Sequence, residues 1–215
     1  MPLLLQLDSS ADTRDSRSRA LTATFADAWR ALGPDHEVRV RDLHRDPVPH
    51  LADAAMHWPE RMRPADVVVP EDADALQREL IDELLAADVL LIGAPLYNYS
   101  VPSSLKAWID HVHVPGMTAA GFGTEAQPLA GRPAVVVSSR GGAYDPGTPT
   151  ADWDHAAPAL RIILESAFGM DLTIVTTSLT LAETFPREPD RRDRARAEFA
   201  AARDEAVALA RRLGA

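Results

Sequence analysis

The stretch "ADVLLIGAPLYNYSVPSSLKAWIDHV", residues 87–112, decides the fold. Its uninterrupted apolar run "DVLLIGA" is typical of a central strand of a parallel sheet, which is buried on both faces. Residues 101–113 follow with a helical pattern. The polar loop "PLYNYS" between them holds two of the three tyrosines in the chain. A buried strand that leads through such a loop into a helix is one unit of an α/β fold.

The same alternation of strand and helix extends outward in both directions. Strands are predicted over residues 2–7, 36–43, 88–94, 132–139 and 171–178, and helices over 16–33, 71–87, 101–113, 153–170 and 189–213. Two irregular segments, 42–70 and 114–131, interrupt the pattern, and we find no internal repeat or linker. The sequence therefore predicts a single domain over 1–215, with a doubly wound five-stranded parallel sheet and helices on both faces.

Composition excludes several classes of protein. The chain has no cysteine, which removes thiol catalysis, iron–sulfur clusters and cysteine-ligated zinc, and favours an intracellular location. A net charge of −10 is unlike that of general nucleic-acid binders. The first apolar run, "PLLLQL", is far shorter than a signal peptide or a membrane span of about 20 residues. We expect a soluble cytoplasmic protein without a nucleic-acid, membrane or metal partner.

Three loops follow strand ends that should meet at one edge of the sheet, where ligands of doubly wound folds bind. They are "DSSADTRDSRS", "PLYNYS" and "SRGGAY", and the last two contain all three tyrosines. No glycine precedes Gly33, which excludes a Rossmann G-x-G-x-x-G, and the only lysine, Lys106, lies outside any P-loop pattern. The absence of both motifs predicts that the ligand at this edge is neither a dinucleotide bound in the Rossmann manner nor a triphosphate bound by a P-loop.

Each loop offers a different chemistry. Ser9, Ser10 and the run 16–18 lead into a helix N-terminus, which suits a phosphate group, although simple N-capping by Ser16 would explain them as well. The segment 95–99 offers aromatic faces and the amide of Asn98 to a flat ring. The glycine pair 141–142 allows backbone amides to approach a ligand closely. Packing alone could explain each loop, but their combination favours flavin mononucleotide (FMN).

These motifs resemble those of the FMN-dependent NAD(P)H azoreductase and quinone reductase family, whose fold is flavodoxin-like. The similarity covers nearly the whole chain and is strongest at residues 87–112 and at "VVVSSRGGAY". It implies that Asn98 and Tyr97 act at the flavin ring. Together the loops and the resemblance predict FMN contacts at Ser10, Ser16, Arg17, Ser18, Pro95, Leu96, Tyr97, Asn98, Tyr99, Ser139, Arg140, Gly141, Gly142 and Tyr144.

The resemblance also implies an activity. The protein would be a homodimer that passes two electrons from NADH or NADPH through FMN to a quinone, or to an azo or nitro aromatic, by a ping-pong mechanism. Two alternatives stay open, a flavodoxin-type electron carrier and a biosynthetic relative that acts on a specialised substrate. The preferred nicotinamide and the physiological oxidant are not decided by the sequence.

Two segments depart from the family pattern. The aromatic lid expected after the third helix is replaced by "GMTAAGFGTEAQ", so that Met117 and Phe122 are the candidates for a substrate pocket. The run "LRIILESAFGM" carries one additional residue relative to the family, and it would lie beside the flavin of the partner subunit. A further candidate set, Asp154, His155 and Tyr144, could form an acid–base group only if the fold brings the three together.

Overall fold

The sheet contains five strands in the order β2-β1-β3-β4-β5, and every neighbouring pair is parallel. The computed structural model describes residues 1–121, 127–182, 184 and 189–215. The strands are β1 Leu3–Asp8, β2 Glu37–Asp42, β3 Val89–Pro95, β4 Pro133–Ser139 and β5 Asp171–Thr177. The order is that of flavodoxin-like proteins, and it confirms the predicted fold class.

Helices cover both faces of this sheet. They are α1 Arg17–Arg30, α2 Glu71–Ala86, α3 Ser103–Val112, α4 Ala156–Arg161 and α5 Pro189–Leu213. α1 and α5 enclose one apolar cluster with alternate residues of the central strands, and α2, α3 and α4 enclose the other. Every residue of β3 is buried, as the continuous apolar run predicts. Among the described residues, none of the helices combines the length and apolar character needed to cross a bilayer.

The region predicted as one helix over 153–170 is more complex. Trp153 ends a short 3-10 turn, α4 begins at Ala156, and Ile162–Ala167 forms a π-helix. The N–H of Phe168 donates to the carbonyl of Ile163, five residues earlier, at 3.0 Å. A π-turn is the usual way for a helix to hold one extra residue. A turn of this kind would accommodate the additional residue that the resemblance implies in "LRIILESAFGM".

The wide turn also fixes the segment that precedes β4. Ala167 presents its carbonyl to the N–H of Ala120 at 3.1 Å and to the side-chain amide of Gln127 at 3.1 Å. Gly169 follows with φ of 72°, a left-handed conformation that glycine adopts without strain. Hydrogen bonds thus join the end of the π-helix to Ala120 and to Gln127.

Candidate cofactor site

The first predicted loop ends at the N-terminus of α1. The Ser16 hydroxyl accepts a hydrogen bond from the N–H of Arg19 at 3.3 Å and lies 3.1 Å from the hydroxyl of Ser18. N-capping by Ser16 is therefore observed. The N–H groups of Arg17 and Ser18 donate to none of the described acceptors. Capping thus leaves two donors at the positive end of the helix, where an anion would bind.

Tyr97 joins this loop to the end of β3. Its hydroxyl oxygen lies 3.2 Å from the hydroxyl of Ser10 and accepts a hydrogen bond from the N–H of Ala11 at 3.0 Å. A cavity of about 230 Å³ opens between the two loops. Its lining brings together many of the predicted residues from three strand ends, and consists of Ser10, Asp12, Asp15, Ser16, Arg17, Pro95, Tyr97, Ser139, Thr180, Leu181 and Thr184.

The backbone of the "PLYNYS" loop turns sharply at Asn98 and Tyr99. These residues have φ of 47° and 70°, and Tyr97 and Ser100 exchange two backbone hydrogen bonds across them at 2.9 and 3.0 Å. Two successive left-handed residues define a tight reverse turn that normally carries glycine or asparagine. Asn98 lines a second cavity, of about 500 Å³, that Tyr97 also borders. The turn therefore separates two cavities.

The backbone carbonyls of the glycine pair after β4 accept hydrogen bonds from the segment that follows β5. Leu179 donates its N–H to Gly142 at 3.2 Å, and Leu181 donates to Gly141 at 3.4 Å. A Cβ atom at position 141 would lie 2.9 Å from the end of the exposed Leu181 side chain, which would have to shift to make room for it. The N–H groups of Gly141 and Gly142 donate to no acceptor within the described part of the chain. This loop is fixed while its donors stay available to a ligand.

Two residues predicted to contact FMN, Arg17 and Arg140, have side chains that interact with other residues of the protein. The guanidinium of Arg17 lies over the Phe199 ring, 4.4 Å from its centroid. That of Arg140 lies 3.3 Å from the Asp154 carboxylate and 5.6 Å from the Tyr144 ring. Burial raises the pKa of Tyr144. Both arginines therefore stabilise the loops through contacts within the chain.

The proposed acid–base set is not formed. One oxygen of Asp154 faces Arg140, and the other accepts the N–H groups of Ala156 and Ala157 at 3.0 and 3.1 Å. His155 approaches the site through its backbone, because its N–H donates to the carbonyl of Tyr99 at 2.9 Å. The carboxylate of Asp154 is thus committed to holding the start of α4.

Of the two residues predicted for a substrate pocket, Met117 is not brought to the turn. Met117 lines a separate cavity of about 600 Å³ together with Pro59, Glu60, Arg61 and Gly116. Phe122 lies outside the described residues. The cavity beside Asn98 is instead closed by residues of α3, α4 and the π-helix that sequence reasoning did not select, namely Lys106, Ile109, Ala159 and Ile163.

Arg19 is a further residue that sequence reasoning missed. Its guanidinium donates twice to the Ser10 carbonyl, at 3.2 and 2.7 Å, and twice to the Asp42 carboxylate, at 2.7 and 2.8 Å. It therefore fixes the backbone of the first loop to the end of β2. A recognisable signal existed, since an arginine in the first turn of α1 and an aspartate at a neighbouring strand end meet at one edge of a parallel sheet.

Replacing Asp42 with asparagine should make stability less dependent on pH. The Arg19 hydrogen bonds lower the pKa of Asp42 from 3.8 to about 2. Folding therefore favours the ionised carboxylate above pH 4, and this contribution is lost as the pH falls toward 2. We expect Asp42→Asn to lower the free energy of unfolding by about 1 kcal/mol at pH 7. Urea unfolding at several pH values should show the difference shrinking steadily as the pH falls from 4 through about 2, and a constant difference would contradict the assignment.

The residues present fit FMN. N–H groups without an acceptor among the described residues lie at the start of α1 and at the glycine pair, at the same edge of the sheet, and Tyr97 borders both cavities there. A phosphate would be held at the first position and the polar edge of a ring at the second. Ser138, beside this edge, keeps a buried hydroxyl that has no partner among the described residues.

Comparisons with known proteins identify the family of the chain. A family model described as "Flavodoxin-like fold" matches residues 3–206. An FMN-dependent NADH:quinone oxidoreductase of Kineococcus radiotolerans is 57% identical over 99% of this chain and 100% of its own length. A protein of the same name from Streptomyces avermitilis is 41% identical over 99% of this chain and 97% of its own length.

Solved structures share the fold. An azoreductase from Bacillus anthracis strain Sterne is 21% identical, with a TM-score of 0.78 over 98% of this chain and 99% of its own. An FMN-dependent NADH-azoreductase from the Ames Ancestor strain, in complex with FMN, is 19% identical, with a TM-score of 0.77 over 98% of this chain and 100% of its own. On the family model and the close sequence relatives, the chain belongs to the FMN-dependent NADH:quinone oxidoreductase family of flavodoxin-like proteins.

Proposed function

We propose that this protein is an FMN-dependent oxidoreductase that transfers two electrons from NADH to a quinone, with azo and nitro aromatics as further oxidants. The cavity that joins the start of α1 to Tyr97 and Ser139 is the observation that carries the proposal, in a chain whose relatives bear that activity in their names. Those names favour NADH over NADPH. In the overall reaction the quinone gains a hydride equivalent from NADH and a proton from solvent.

The proposal assigns a task to the residues at each of the three loops. The donors at the start of α1, with the hydroxyls of Ser10 and Ser16, hold the phosphate. Asn98 and Tyr97 contact the ring, and the N–H groups of Gly141 and Gly142 stabilise negative charge at its polar edge. When bound, FMN supplies the two-electron chemistry, which allows a ping-pong cycle with one substrate site. The protein side chains orient the reactants and exclude water.

We also propose that residues 1–215 form a single domain. The protein would act as a homodimer in the cytoplasm. The π-helical segment leaves Ile162 64% exposed, and the next residue, Ile163, lines the cavity beside Asn98 together with Ile109 and Ala159. An exposed apolar side chain next to an apolar cavity supports apposition of a second copy at this face. The cytoplasmic location follows from the need for NADH, which is an intracellular metabolite.

An absorption spectrum of FMN-loaded, desalted protein, followed without oxygen as NADH or NADPH is added, tests the function. We expect retained yellow colour that bleaches within seconds and returns when a quinone is added, with free FMN at equal concentration as the control. Retained colour that neither nicotinamide bleaches would indicate a carrier or a redox-neutral enzyme. Complete loss of flavin on desalting would contradict cofactor binding.

A further inference from the structure

The reverse turn at Asn98 and Tyr99 has a left-handed backbone conformation, which is unfavourable for residues other than glycine. Left-handed backbone costs an L-residue roughly 1–2 kcal/mol, and asparagine tolerates it far better than tyrosine. Tyr99 nevertheless has φ of 70°, and its side chain is 47% exposed, so burial of the ring does not hold it there. Strained positions of this kind persist only where surrounding contacts impose them. The turn therefore needs support from outside the loop.

That support comes from residues 153–155, which are distant in sequence. The N–H of His155 donates to the Tyr99 carbonyl at 2.9 Å. The ring of Trp153 meets the ring of Tyr99 edge to face, with centroids 5.4 Å apart and an interplanar angle of 87°. Both contacts act on Tyr99, the residue of the turn with the larger strain.

Residues 153–155 are in turn anchored by an ion pair. Asp154 and Arg140 have side chains that are only 9% and 18% exposed, and their closest polar atoms are 3.3 Å apart. Arg140 also donates to the hydroxyl of Ser178 at 2.9 Å, while Asp154 accepts two N–H groups at the start of α4. A continuous set of contacts thus runs from the end of β5 through Arg140 and Asp154 to the Tyr99 carbonyl.

We propose that Asp154 is a positioning residue, which together with Arg140 holds residues 153–155 against Tyr99 and so keeps the turn in the left-handed conformation that FMN meets. This inference rests on the proposed function. It also gives Arg140 a role different from the direct cofactor contact that the sequence predicts, because its guanidinium is engaged by Asp154 and Ser178. The N–H groups of the turn itself are then presented to the ligand in one conformation.

The first test replaces Asp154 with asparagine. The remaining oxygen can still accept the N–H groups of α4, but the neutral amide no longer pairs with Arg140. We expect the dissociation constant for FMN, measured by fluorescence quenching, to rise about fivefold. The midpoint potential of bound FMN should shift, and in FMN-free protein the amide of Ser100, which closes the turn, should exchange hydrogen faster.

Glu83→Gln is the matched control for this variant. It removes a charge from the ion pair that joins α2 to β2, the edge strand farthest from β5. The side chains of Glu83 and Arg41 are 10% and 14% exposed. We expect Glu83→Gln to lower stability while FMN affinity, potential and Ser100 exchange stay at wild-type values. Equal effects of the two substitutions, or no effect of Asp154→Asn on affinity and potential, would overturn the inference.

A second pair of variants isolates the hydrogen bond to Tyr99. His155→Pro removes the backbone N–H at the N-cap position of α4, which precedes the first helical residue, and His155→Ala retains that N–H. The proline variant should reproduce the FMN affinity of Asp154→Asn, and the alanine variant should match wild type. If the proline variant binds like wild type, the positioning role is wrong and the function stands. A wild-type protein that holds no FMN would overturn both.

Discussion

Replacing Gly93 with valine should destabilise the protein more than any other single change in the sheet that we consider. A Cβ atom at this position of β3 would lie 3.0 Å from an Asp8 carboxylate oxygen and 3.1 Å from a Thr22 methyl group. Valine adds two further methyl groups to that crowded contact. We expect the free energy of unfolding to fall by about 3 kcal/mol, since overpacking a core commonly costs 1–3 kcal/mol and a buried charge is disturbed as well.

The neighbours of Gly93 have little freedom to move. Asp8 is 6% exposed, and its carboxylate accepts hydrogen bonds from Thr22 at 2.7 Å and from Gln6 at 2.8 Å. Burial raises the pKa of Asp8 despite these two donors. Moving the carboxylate would weaken both hydrogen bonds in a poorly solvated place. The strain should also reach the cofactor site, because the Gly93 carbonyl accepts the hydroxyl of Ser9 at 2.7 Å.

Urea unfolding of a graded series tests this assignment. Gly93→Ala adds one carbon and should cost about 1 kcal/mol, because restricting the unfolded chain offsets part of the clash. Adding Thr22→Ser removes the methyl group at 3.1 Å and retains the hydroxyl that donates to Asp8. The double variant Gly93→Ala with Thr22→Ser should therefore lose less stability than the two single effects combined. Wild-type stability of Gly93→Val would show that the contact is not restrictive.

The sequence predicts the fold well where local pattern and burial agree. The continuous apolar run before Pro95 is β3, and the serine at position 16 caps α1, as its spacing indicates. Both follow from rules that operate within a few residues, the burial of parallel strands and the satisfaction of helix N–H groups. The meeting of the three loops at one edge then follows from parallel strand direction alone.

Features that depend on distant residues could not be predicted in this way. The left-handed conformation of Tyr99 opposes the preference of tyrosine and is imposed by residues 153–155. The π-helix at Ile162–Ala167 has the same apolar spacing as a short α-helix, so its pattern does not reveal the wide turn. The side chain of Arg140 turns to Asp154, a partner that the "SRGG" motif does not contain. Each of these features is decided by tertiary contact.

Replacing Asn98 with alanine should weaken FMN binding by about tenfold while the fold stays intact, because two contributions are lost together. The amide lines the cavity beside the turn, where it can donate to and accept from a ring. Asparagine also adopts φ of 47° with less strain than alanine. The dissociation constant for FMN and the rate of bleaching by NADH under anaerobic conditions measure the effect, and circular dichroism checks the fold.

Asn98→Gly separates the two contributions. Glycine lacks the amide but accepts the left-handed backbone without a steric penalty, so it keeps the turn and removes only the side chain. If the amide contacts the ring, the glycine variant should bind FMN more weakly than wild type and more tightly than the alanine variant. If Asn98 serves only to shape the turn, the glycine variant should bind as well as wild type. Wild-type affinity and bleaching rate in Asn98→Ala itself would remove this residue from the site, and the strained turn would then act through the backbone of Tyr97 and Tyr99 alone.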